Sequence, residues 1–154
     1  YWQQGQQYVE AGQLELGIEK YQQAAETIEN KGELLFHLGA AQVLDGQYSR
    51  GIHNLKTSLK TFNDRNIHLS LSHGYYQLGQ WEEAKKWAQQ ARSMFPDHLA
   101  PQLLLGKIYY QLGEVDSSKQ FLRNCINRQT KIQSDKVALV ADRARKVWID
   151  FYGY

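Results

Sequence analysis

Cysteine and proline are nearly absent from this 154-residue chain, which holds one Cys and two Pro. A single thiol excludes a disulfide framework. With proline confined to Pro96 and Pro101, long stretches are free to be helical. No apolar run approaches the ~20 residues of a membrane span; the longest, 34–44, is interrupted by His37 and Gln42. No secretory leader is visible. Charge of one sign is missing too: 18 Lys and Arg against 16 Asp and Glu leave +2, with the signs interspersed. Nucleic-acid binding, which needs a basic stripe, is therefore not expected. The densest cationic stretch, Arg143, Arg145 and Lys146, is flanked by Asp142 and Asp150 and reads as a solvated helix face.

Catalytic and metal-binding patterns are also lacking. The five histidines are His37, His53, His68, His73 and His98. No two stand four apart, and no HExxH, phosphate loop or dinucleotide-binding glycine pattern occurs. Ser72 and His73 are adjacent, and adjacent helix positions point apart. No enzyme activity, metal or cofactor is expected.

What is present is a period. Gly12-Gln13, Gly46-Gln47, Gly79-Gln80 and Gly113-Glu114 are spaced by 34, 33 and 34 residues. Other columns keep the same register. Gly5, Gly39, Ser72 and Gly106 stand seven before each turn Gly. Tyr8, Gln42, Tyr75 and Tyr109 stand four before it, and Leu14, Tyr48, Trp81 and Val115 two after. Gly17, Gly51, Ala84 and Ser118 follow at five, then Ala24, Ser58, Ala91 and Cys125 at twelve. Such a fixed period signals stacked units, each unable to bury its apolar face alone. Each unit reads as helix, tight turn, helix. Gly at the turn enters the left-handed region that ends the first helix, and the small columns let paired helices approach. Cys125 falls in such a column and is expected to be a core thiol.

These columns resemble the tetratricopeptide repeat family. The segment 71–97, LSHGYYQLGQWEEAKKWAQQARSMFPD, carries the family pattern most fully, and 104–126 nearly as well. The first two units are looser: Gln42 replaces Tyr, and Gly17 and Gly51 replace the second-helix Ala. Gly inside a helix costs about 1 kcal/mol against Ala, so the first two second helices are expected to be weaker. The resemblance implies an all-α, right-handed superhelix of four helix pairs, approximately 1–31, 32–64, 65–98 and 99–132, followed by a capping helix over 133–154. Within that last segment Ser134 is placed to cap the helix, with Asp135 in its first turn. Val137, Val140, Ala141, Ala144, Val147, Trp148 and Phe151 recur at helical spacing, as a cap needs. The chain starts without Met, and Tyr1 falls inside the first helix by register, which reads as a piece of a longer protein or a mature product.

In this family the first helices line a concave face, and the resemblance implies non-catalytic binding of a protein or peptide there. By register the inward residues are Trp2, Gln6 and Val9, then Glu33, Phe36, Ala40 and Val43, then Asn66, Leu69, His73 and Tyr76, then Leu103, Lys107 and Tyr110. The candidate partner-binding groove is Trp2, Val9, Phe36, Val43, Leu69, His73, Tyr76, Leu103, Lys107 and Tyr110, aromatic and apolar with few charges. The alternative is that these rings pack between helices or lie under the C-terminal helix. The family's clamp for acidic chain ends is not expected. Its positions hold Trp2, Gln6, His37, Asn66 and Ser70 in one register and Phe36, Ala40, Ser70, Ala100 and Leu104 in the other. A related RNA-reading helical repeat is disfavoured because the groove lacks the polar and basic pattern it needs. A weaker resemblance joins Lys131-Ile132-Gln133-Ser134-Asp135-Lys136-Val137 and the Trp148 helix to tails of bacterial O-antigen-ligase-like envelope proteins. It would imply a membrane-tethered, periplasmic accessory module; otherwise the chain is expected in the cytoplasm.

Overall fold

The computed structural model describes residues 1–128 and 135–154, and all regular structure among them is helical. Two compact units are formed, Tyr1–Gly79 and Gln80–Tyr154. The break falls inside the third repeat of the register. The first unit holds α1 (Trp2–Glu10), α2 (Leu14–Ala25), α3 (Gly32–Leu44), α4 (Tyr48–Ser58) and α5 (Arg65–Gln77). The second holds α6 (Trp81–Met94), α7 (Leu99–Gln111), α8 (Val115–Arg128) and α9 (Asp135–Tyr152). Tyr1 caps α1 instead of lying within it. Ser134 lies outside the described residues, as does the linker 131–134, while Asp135 does stand in the first turn of α9.

The turn glycines do what their period implies. Gly12, Gly46, Gly79 and Gly113 all have φ between 75° and 86°. At Gly46 the amide donates to Val43 O at 3.2 Å and the next amide, Gln47 N–H, reaches back to Gln42 O at 2.8 Å. This pair of bonds closes the carbonyls left open at the end of α3. The same pair recurs after α1, from Gly12 and Gln13, and after α7, from Gly113 and Glu114. Nothing lies within 4 Å of a side chain built at Gly46. Backbone conformation, and not crowding, selects glycine there.

Crowding selects it elsewhere. A Cβ on Gly51 would stand 2.7 Å from Gly39 O and 2.7 Å from Val43 Cγ2. A Cβ on Gly17 would meet Val9 Cγ2 at 2.5 Å and Gly5 O at 3.1 Å. The α1/α2 and α3/α4 hairpins therefore cross backbone against backbone. Gly17 and Gly51 are sites of close approach, so an alanine there would bring a clash in place of the helix-propensity gain. In the second unit the equivalent crossing carries a hydroxyl: Ser118 Oγ donates to Gly106 O at 2.7 Å.

Every residue of the three small columns is buried. In the first unit Ile18, Tyr21, Ala24, Leu34, Leu38 and Ala41 form one core, joined by the half-buried Trp2, Val9, Ala25, Ile28 and Leu35. In the second, Leu99, Leu122, Cys125 and Ala144 form another, flanked by Leu103, Ile126, Val137, Val140, Val147, Trp148 and Tyr152. Cys125 is fully buried, and burial pushes its thiol up from 9.0 to about 12, as a core thiol requires. Gln42 is also buried, and Asn54 Nδ2 donates to its Oε1 at 2.7 Å. Pro96 follows the end of α6, and Pro101 lies in the first turn of α7, where no N–H is needed.

Candidate functional site

In the first unit, Trp2 and Val9 of α1, Phe36 of α3, and Leu69, His73 and Tyr76 of α5 are half-buried. Leu69, His73 and Tyr76 stand at i, i+4 and i+7, so they share one face of α5. Phe36 stacks on Phe62, just beyond α4, with ring centres 6.0 Å apart and planes 28° apart. Its neighbour His37 is the hub of an aromatic group: Phe36 lies 4.9 Å away, Trp2 6.1 Å and Tyr21 6.2 Å. His37 Nε2 is 3.9 Å from Glu33 Oε1. Trp2 and Phe36 are thus brought together through a histidine that the groove register omits. Phe62 was missed as well, because it follows the second helix and belongs to no inward column. Its only sequence signal is an aromatic in an otherwise polar connection, TFND.

Val43 does not belong to this surface. It is 3% exposed, and its Cγ2 fills the space beside Gly51 and Gly74. The register placed it on the concave groove; the close α3/α4 crossing turns it into packing between α3, α4 and α5.

In the second unit Leu103, Lys107 and Tyr110 also share one face of α7, at i, i+4 and i+7. Here α9 lies on that face. The Tyr110 ring stacks on Phe151 with centres 3.8 Å apart and planes 6° apart, and Tyr152 meets it edge-on at 5.6 Å. Leu103 packs into the cluster that α9 completes with Val137, Val140, Val147, Trp148 and Tyr152. Leu103 and Tyr110 are therefore covered residues, which corrects their place in an open groove. Lys107 is half-buried, and burial lowers its ammonium pKa.

A further contact set fixes α9. Tyr152 OH donates to Ser118 Oγ at 2.8 Å, and that same hydroxyl donates to Gly106 O. Lys119 Nζ lies 4.7 Å from the centre of the Tyr152 ring, 5.7 Å from Trp148 and 5.8 Å from Tyr154. Among the described residues no group of three His, Cys, Asp or Glu is placed to hold a metal ion. No helix among them is long and apolar enough to cross a membrane.

Residues 75–133 match the family model for the tetratricopeptide repeat. No curated protein matches the sequence. Among solved structures, MamA superposes with a TM-score of 0.70 at 16% identity, covering 97% of this chain and 97% of its own. PcrH, in complex with the chaperone binding region of PopB, gives 0.68 at 18% identity, covering 77% of this chain and 95% of its own. A tetratricopeptide repeat protein from Parabacteroides merdae gives 0.69 at 18% identity, covering 95% of this chain and 59% of its own. The resemblance to O-antigen-ligase-like tails gains no support from these matches. Residues 75–133 carry the tetratricopeptide repeat signature, and the fold of the chain is that of the tetratricopeptide repeat proteins.

Proposed function

We propose that the chain is a non-catalytic protein-interaction scaffold that holds a peptide or helix against the first-helix face of its first unit. One observation carries this reading: Trp2, Phe36, Leu69, His73 and Tyr76, mostly aromatic or histidine side chains from successive first helices, are half-buried on α1, α3 and α5. Half-buried aromatics of this kind are fixed at the base and offer rigid apolar area to a partner at low entropic cost. The fold supports the same reading, since PcrH is a chain of this fold with a segment of another protein bound. The apolar and aromatic character of the face suits a protein partner better than a nucleic acid. The repeat boundaries 1–31, 32–64, 65–98 and 99–132, with 133–154 as cap, belong to this reading.

The test is a paired substitution read on partner retention and on melting. Phe36→Ala with Tyr76→Ala should weaken a retained protein partner by about 2 kcal/mol or more, because aromatic anchors dominate such interfaces. Raised salt should weaken it little. Full retention by a folded double variant overturns the assignment.

A further inference from the structure

The second unit carries a separate cavity. About 250 Å³ opens between α8 and α9, lined by Arg123, Ile126, Asn127, Arg145, Trp148, Ile149 and Tyr154. Ile126, Trp148 and Ile149 supply apolar walls, and Ile149 is 57% exposed. Two guanidiniums stand beside these apolar groups, and no Asp or Glu side chain contributes to the lining. Arg145 is partly neutralised, its Nη1 lying 2.7 Å from Asp142 Oδ1. Arg123 lies over the Trp148 ring, its Cζ 5.2 Å from the centre, and no carboxylate among the described residues pairs with it.

The geometry points to a binding site for the carboxy-terminal residue of a peptide partner, with the α-carboxylate on Arg123 and the apolar side chain on Ile126, Trp148 and Ile149. Charge selects the carboxylate. A guanidinium stacked on an aromatic face keeps its N–H edge free for a planar, two-oxygen acceptor. Distance selects a terminal residue. Guanidinium and ring are 5.2 Å apart, so the carboxylate and the apolar group must be near neighbours in the ligand. On a terminal residue both hang from one Cα. An internal Asp or Glu brings its carboxylate on a different side chain from the apolar one, and the chain must leave in both directions. Volume agrees: about 250 Å³ exceeds the ~150 Å³ that encloses a benzene-sized group and suits one branched or aromatic side chain with its carboxylate. The site is distinct from the first-helix face and does not depend on a partner there.

The experiment uses the full chain and follows the Trp148 indole N–H by NMR, assigned by its loss in Trp148→Phe. The probe is acetyl-Gly-Ser-Gly-Ser-Leu as the free acid, titrated to millimolar concentration, against the same peptide with an amidated end. The free acid should shift the Trp148 signal, and the amide should bind at least about tenfold more weakly, since a charged hydrogen-bonded pair is lost. Arg123→Gln and Arg123→Glu should abolish the shift of the free acid while melting stays normal. Lys146→Glu, an exposed change on α9 outside the lining, should leave it intact. Equal binding of acid and amide overturns the carboxylate contact, and no shift with either overturns the site. An amidated peptide with internal Leu-Glu that binds as well as the free acid overturns the terminal-residue assignment. So does unchanged binding in folded Arg123→Gln.

Discussion

The first-helix faces of the two units begin alike and end differently. Phe36 on α3 and Tyr110 on α7 are both aromatic, both half-buried, and both assigned to the inward side by the same register. Phe36 leans on Phe62 and His37 from within its own unit and keeps an edge in solvent. Tyr110 lies flat under Phe151 and edge-on to Tyr152. The register of a repeat says which way a side chain leaves its helix. It does not say what arrives on top. The helix crossings differ in parallel: glycine backbone against glycine backbone at Gly39 and Gly51, a hydrogen-bonded serine at Gly106 and Ser118.

Removing α9 is the harshest way to break this contrast. Truncation before Asp135 strips Leu103, Tyr110 and Ala144's neighbours of their cover, and repeat arrays rest on such nearest-neighbour contacts. Loss of on the order of 3–5 kcal/mol is expected from the apolar area re-exposed, read as a lowered melting temperature and aggregation. Unchanged melting with good solubility would mean that α9 does not support α7 and α8.

Gly51→Val tests the crossing of the first unit. Its side chain meets the Gly39 carbonyl and Val43, so a cost of about 2–3 kcal/mol is expected in denaturant unfolding. A neutral result would show that the α3/α4 hairpin opens freely. Next comes the direct comparison. Tyr110→Ala should cost about 2 kcal/mol of stability, from burial and ring stacking. Phe36→Ala should cost about half of that and act mainly on partner binding. Equal stability losses would erase the distinction between covered and open faces.

Cys125 gives a pH-dependent check. Its thiol is held at about 12 in the fold against 9.0 when free, so above pH 9 the unfolded chain sheds a proton that the folded chain keeps. Stability present below pH 9 should therefore fall progressively as pH rises toward 12, and Cys125→Ala should flatten that slope. Native protein should resist thiol labelling and react once unfolded. The smallest effect belongs to Ser118→Ala, about 1 kcal/mol from the lost hydrogen bonds to Gly106 O and from Tyr152 OH.

Much of the fold was legible because a backbone constraint repeats. Gly46 at φ 86° and Gly39 against Leu55 answer needs that recur at each turn and crossing, so the sequence must repeat them. Cys125 was legible for the same reason. Helix propensity counts only the helix's own backbone, so it could not show why Gly17 and Gly51 are glycine; the neighbouring helix sets that requirement. The apolar stripe on α9 could be seen in the sequence, whereas its seat on Tyr110 could not. The seat depends on how α9 crosses α7 and α8, which no local pattern encodes. Val43 and Phe62 were lost in the same way, one to a crossing and one to a connection.

The Tyr152–Ser118–Gly106 chain has a consequence for the order in which the molecule opens. Ser118 accepts from α9 and donates to α7 through one oxygen, so each bond polarises and strengthens the other. Lifting the end helix leaves the serine with a single bond, beside a carbonyl that water can then reach. Amide protons of α7 near Gly106 and those of α8 near Ser118 should therefore exchange with solvent in step with α9, as one cooperative unit. Helix α9 would in that sense set the clock for local opening one full hairpin inward.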